Sequence, residues 1–313
     1  MSHRWLRAGA QLVLIGGAVL FLVKTTREHA GTFSSWNPAI DWPPLLAASA
    51  LVVGAFVFMV AAWAMSLRWW SASVSFLSAL RIWSLSNLAR FIPGAVWQFA
   101  GLAALAVDEG ISPVSATAAV LLQQLVLLAT GFVVAISMAP GWVEPVAPGL
   151  SPIAAVSVAI IGLVALATLI PLSLPGVGRL FGRMAKREIT WPTVPLRAFA
   201  GYTGALVLPW LAYALAFWLF ALALLGSSAP TIAVAGGAFV ASYVAGIIAV
   251  FAPAGIAVRE AAMVAMLTPI LDAQSALLLA IGSRLWMIAL EILTAVAVVA
   301  LYRARRRPAR NAA

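Results

Sequence analysis

Charged side chains stand in this chain where the surrounding sequence leaves little room for them. Arg259 and Glu260 follow directly on Pro253-Ala254-Gly255, and Arg284 and Glu291 lie seven residues apart within a long apolar run. On a helix that spacing puts Arg284 and Glu291 on nearly one face, about two turns apart. A charge at such depth is costly in lipid unless it faces the protein interior and meets a partner or a substrate. The chemistry these residues suit is anion binding. Guanidinium groups offer planar forks of donors to a phosphate, and a half-helix starting after a break adds free amides and the positive end of its dipole. Arg90, just before Pro93-Gly94, repeats the arrangement. Each has a plainer reading: Arg259 and Glu260 as a self-satisfied ion pair, Arg284 snorkelling toward a surface, Arg90 facing lipid headgroups.

The breaks themselves must be positioned. The segments 90 to 98 and 250 to 260 each place a Phe-x-Pro, small residues and polar side chains in sequence otherwise apolar enough for lipid. Exposed backbone amides cannot be left without partners there, so a broken helix that lines a cavity is expected, with Pro93, Gly94, Pro253 and Gly255 as the breakers. The two segments are 160 residues apart, and the same offset carries Ser115-Ala116 onto Ser275-Ala276, Leu125 onto Leu285, and 44 to 66 onto 204 to 226. Two copies of one unit are the natural reading. The offset also pairs Arg284 with Gln124, beside Gln123; these glutamines either meet the substrate or join helices by amide hydrogen bonds. Gln98 and Trp97 in the first break, and Trp286 beside Arg284, fall near the same expected cavity.

Composition sets the class. With 64% hydrophobic and 9% charged residues in 313, and a mean hydropathy of +1.06, the chain cannot coat a soluble globule with polar surface. Its apolar runs are about 20 residues long and lack barrel-type alternation, so the spans are helical. The net charge of +10 gathers in a few loops and the tail, which fits cytoplasmic loops and anionic headgroups better than nucleic acid. There is no Cys, and His3 and His29 stand alone without metal-ligand spacing. No nucleotide-binding loop, nucleophile elbow or zinc motif occurs, so no catalytic residue, metal or cofactor is expected.

Along the chain, an uncleaved first span is expected from about Trp5 to Val23, and further spans at 44 to 66, 113 to 138, 152 to 174, 199 to 226 and 275 to 302. The stretches 75 to 109 and 231 to 270 read as interrupted, re-entrant hairpins. Asp108-Glu109 is placed at the interface without a role. The basic segment 175 to 197 and the tail from Arg303 face the cytoplasm by the positive-inside bias. Hairpin 75 to 109 then enters from the cytoplasm and hairpin 231 to 270 from outside.

Arg90 to Gln98 followed by Gly110 to Ala116, and Pro253 to Ala261 followed by Ser275-Ala276 and Ser283-Arg284-Leu285, resemble the lysylphosphatidylglycerol synthase transmembrane family. The resemblance covers about residues 5 to 303, and Pro-x-Gly-x-x-Val-Arg-Glu is its more specific part. It departs at Gln123-Gln124, where the family tends to carry Glu-Arg, and at Ala254, where it has Gly. The family includes lipid flippases and relatives linked to polyprenyl-phosphate sugars. The tail after Tyr302 is too short for the soluble aminoacyl-transferase domain of the family's resistance factors.

The expectation is an all-α, polytopic inner-membrane protein. It is a single transmembrane domain over 1 to 313, with two inverted-topology repeats (about 44 to 138 and 204 to 302), cytoplasmic termini and a basic tail, 303 to 313. Its expected role is transport rather than catalysis: flipping an anionic or zwitterionic phospholipid or a polyprenyl-phosphate-linked lipid by alternating access. Arg259 and Arg284 would neutralise the phosphate, and Arg90, Gln98, Gln123 and Gln124 would guide the headgroup. Glu260 and Glu291 would hold the arginines between passages. The rivals are a membrane enzyme acting on a lipid-linked substrate, for which the outside loop offers only Glu144, and a scaffold without substrate.

Overall fold

The computed structural model describes residues 40–91, 97–139, 147–185, 192–249 and 257–306, with Arg27, Val143 and Gly255; over 177–185 and at Arg306 only the backbone is described. Among these residues the structure is helical, without strands. The expected first span, the breakers Pro93, Gly94 and Pro253, Glu144 and the end of the tail lie outside them.

Helix α1 (Trp42–Ser66) starts with Pro43 and Pro44, whose missing N–H groups cost nothing in a first turn. It ends in a 3-10 turn (Leu67–Trp70). Two short helices follow, α2 (Phe76–Leu88) and α3 (Trp97–Val107), then the long α4 (Pro113–Met138). Helix α5 (Pro152–Ala185) runs through Pro171 and Pro175, so the helix continues about ten residues past the loop start expected at Pro175. Helices α6 (Leu196–Ala205) and α7 (Leu208–Leu225) form one stretch broken at Leu206-Val207, where Pro209 restarts the helix. A second short pair, α8 (Ile232–Ile248) and α9 (Val258–Leu267), precedes the long α10 (Ala273–Arg306). Asp272 caps α10 by accepting the Ser275 N–H at 2.9 Å, and hydrogen bonds from the Ser275 hydroxyl and then its N–H hold the carboxyl below the usual range.

Among the described residues five helical stretches are long and apolar enough to cross a bilayer: Trp42–Trp70, Pro113–Met138, Pro152–Gly176, Leu196–Ser228 and Ala273–Arg305. This is a multi-pass helical membrane protein. The order span, interrupted pair, span occurs twice, and helix boundaries follow the sequence offset. Adding 160 to Trp97–Val107 gives 257–267 against α9 at 258–267, and adding it to the start of α4 gives 273, the first residue of α10.

Packing is reciprocal. Helix α4 packs on α3 of its own interrupted pair and on α8 of the other, while α10 packs on its own α9 and on α2. The equivalent spans α1 and α6–α7 lie side by side and antiparallel. The Asp41 N–H at the start of α1 donates to Ala223 O near the end of α7 (3.0 Å), and Trp69 beyond the end of α1 stacks edge-on against Tyr202 of α6 (5.1 Å). In lipid, helix association depends on close packing and interhelical hydrogen bonds, and small residues permit both. A Cβ at Gly131 of α4 would lie 2.8 Å from Val244 and 2.9 Å from Trp210, and one at Gly236 of α8 would lie 2.7 Å from the Ala214 Cβ. Helix α5 stands apart: only 6% of its most apolar window is buried, so it contributes little to the interior.

Candidate functional site

The two interrupted pairs, with α1, α4, α7 and α10, enclose a cavity of about 330 Å³. This is within the range of small-molecule sites. Arg90, Gln98, Gln124, Arg259, Arg284 and Glu291 all line it, and so does Gly255 from the second break. Residues spread over 200 positions of sequence converge because both pairs stop short of a full span and α10 lies against α2 and α9.

The break between α8 and α9 depends on two glycines. Gly255 has φ +65°, and a Cβ there would sit 2.8 Å from the Gly246 Cα, so the chain crosses itself where any side chain would clash. Helix α9 begins just after that crossing, with Arg259 in its first turn and in the cavity wall.

Among the described residues two ion pairs join separate helices around the cavity. Glu260 bonds Arg284 on α10 and not its neighbour Arg259. Glu291, also on α10, bonds Arg90 at 2.5 Å, which ties the first break to the last helix. Arg284 is 6% exposed and does not snorkel. Asn87 organises the first break by accepting from Arg90 Nη1 at 3.2 Å and Gln98 Nε2 at 3.5 Å. Arg259 has no carboxylate within ion-pair distance among the described residues. Its guanidinium lies over the rings of Phe239 (4.8 Å) and Tyr243 (4.6 Å), and its Nη2 is buried without a hydrogen-bond partner. Tyr243 in turn stacks on Tyr213 at 6.5 Å. The arrangement is a cation held by aromatic faces in a cavity, available to an incoming anion.

Several residues named from sequence lie elsewhere. Gln123 is fully buried outside the cavity, donating to Met59 O (3.0 Å) and accepting from the Tyr202 hydroxyl (2.9 Å), so it joins helices. Trp97 is half exposed and Glu260 sits behind Arg284; neither lines the cavity. Trp286 stacks on Phe220 at 4.8 Å and donates to Ser49, a packing role. Asp108 and Glu109 have partners after all: Arg81 lies 3.9 Å and 3.5 Å from them, Ser78 and Tyr302 donate to Glu109, and Arg81 lies over the Tyr302 ring at 4.6 Å. This cluster pins the end of α10 to the start of α2, away from the cavity.

The aromatic lining was missed, yet the offset contained a signal for it. Trp83 and Tyr243 are 160 apart and both line the cavity, as do Phe99 and Arg259, Gln124 and Arg284, and Leu127 and Met287. Among the described residues no group of three His, Asp or Glu side chains converges as metal ligands. Compared with known families and curated proteins, the chain matches no family model and no curated sequence.

Proposed function

We propose that this protein carries the phosphate-bearing headgroup of a membrane lipid across the bilayer by alternating access, as in the flippase-type proteins its motifs resemble. The observation that carries the reading is Arg259: a guanidinium in an intramembrane cavity, held by aromatic rings and lacking a carboxylate among the described residues. Holding an arginine there with no counter-charge is costly, and a passing phosphate supplies what is missing. The two ion pairs place further arginines within the same walls, so the headgroup passes from one guanidinium to the next while its chains stay in lipid.

The antiparallel packing of the equivalent spans supports an inverted relation between the units. A two-fold that superposes antiparallel helices lies across their axes, hence in the plane of the membrane, as in transporters whose halves rock around a central site. Cytoplasmic termini and an inner-membrane location belong to the same reading, from the Lys and Arg bias of the loops. The test is translocation of a headgroup-labelled lipid in proteoliposomes. Labelled lipid should become accessible from the opposite leaflet faster than in protein-free vesicles, and equal rates would refute the reading.

A further inference from the structure

The cavity contains polar atoms that its own residues leave unsatisfied, and they are of both kinds. Among the described residues, Arg259 Nη2 and Arg90 Nε are buried donors without an acceptor and Glu291 Oε2 is a buried acceptor without a donor, as is Oε2 of Glu260 outside the cavity lining. Arg90, Arg259 and Glu291 line the cavity. Buried polar atoms in folded proteins nearly always have partners. A fitting ligand therefore accepts hydrogen bonds at the arginines and donates one at Glu291.

Charge narrows the choice further. Arg90, Arg259 and Arg284 set three positive charges against the carboxylates of Glu260 and Glu291, which leaves one positive charge in the site. An uncompensated charge is costly in such surroundings. A pyrophosphate would overshoot to net negative, and a zwitterionic choline headgroup would leave the positive charge in place. Choline also has no N–H or O–H to offer Glu291. A phosphodiester supplies one negative charge, and free hydroxyls on its alcohol supply the donor.

Resting on the transport reading above, we infer that the headgroup accepted here is a phosphodiester monoanion whose alcohol carries free hydroxyls, either glycerol or a sugar. The phosphate sits at Arg259 and a hydroxyl donates to Glu291. Trp83 and Trp210 line the same cavity and add apolar wall beside these polar groups.

The experiment is calorimetric titration of the purified full chain in detergent with soluble short-chain probes. Dihexanoyl phosphatidylglycerol and farnesyl phosphoglucose carry the proposed chemistry, and their relative affinities distinguish the glycerol source from the sugar source. Dihexanoyl phosphatidylcholine and farnesyl pyrophosphate are the controls. One charge-assisted hydrogen bond suffices for about a tenfold preference, so at least one hydroxylated diester should bind about tenfold tighter than either control. Glu291→Gln removes the acceptor's charge and raises the site by one positive charge, so the order should move toward the pyrophosphate. Arg259→Gln breaks no ion pair among the described residues and lowers the site by one, so the choline diester should draw level. A choline or pyrophosphate probe that binds the parental protein as tightly as both hydroxylated diesters overturns the inference while leaving transport standing. So does an order unchanged in folded variants. If no phosphate probe binds a correctly folded protein, the transport reading falls with it.

Discussion

Replacing Arg259 by Ala should separate stability from function. In most buried ion pairs, removing one partner leaves the other stranded, at about 3–5 kcal/mol. Among the described residues Arg259 has no carboxylate to strand. Its contacts with Phe239 and Tyr243 are worth about 2 kcal/mol when desolvated, which is opposed by the cost of holding an unpaired guanidinium among apolar side chains, itself several kcal/mol. The melting temperature should stay within a few degrees of the parental value or rise. Transport should not survive. The lost charge-assisted hydrogen bond and the uncompensated headgroup together cost at least about 3 kcal/mol at the barrier, roughly a hundredfold in rate. Arg259→Lys should recover part of that if charge alone matters, and little if the planar fork is needed. Arg284→Ala is the contrast, because it strands Glu260, and it should lower both melting temperature and transport. The assay is proteoliposome translocation beside thermal unfolding of each variant. A folded Arg259→Ala transporting at the parental rate refutes the reasoning; one that melts as early as Arg284→Ala would make Arg259 a structural residue.

Arg90→Ala and Glu291→Ala should each destabilise by about 3–5 kcal/mol, and the double variant by clearly less than their sum, read from a thermal double-mutant cycle. Gly255→Ala meets both a positive φ and the Gly246 backbone at 2.8 Å, so it should cost about 1–3 kcal/mol and reduce transport, measured by unfolding and by flux. Arg305, Arg306 and Arg307 changed together to Gln should leave transport nearly intact; complete loss with normal insertion would contradict the reading of the tail as a topological and headgroup contact. Single cysteines at positions 110 and 272 should label from opposite faces of the membrane, and labelling from the same face would contradict the inverted arrangement.

Helix class and boundaries were legible because lipid enforces them. Pro43-Pro44 and Pro113 open helices, and apolar length gives the spans. Pro175 misled because a proline ends a helix only if the freed carbonyl and the ring find no room; here α5 continues to Ala185. Arg90, Arg259, Arg284 and Glu291 were legible as interior charges, since the sequence around them excludes a cheap surface position. Their partners were not. Adjacency suggested Arg259 with Glu260, but successive helical residues point about 100° apart, so Glu260 reaches α10 and Arg259 turns to the rings of α8. Gln123 and Gln124 looked equivalent for the same reason, and helix rotation sends only Gln124 to the cavity. The Arg81, Asp108, Glu109 and Tyr302 cluster needs three chain segments at once, which no local pattern announces.

The central claim is that a lipid phosphate occupies this cavity at Arg259. Cryo-electron microscopy of the protein in nanodiscs of phosphatidylglycerol tests it most directly. A headgroup density inside the cavity, within hydrogen-bonding distance of the Arg259 guanidinium and continuous with acyl chains leading out between helices, is the predicted result. A cavity holding only water, with every ordered phosphate at the bilayer surfaces, would contradict the account.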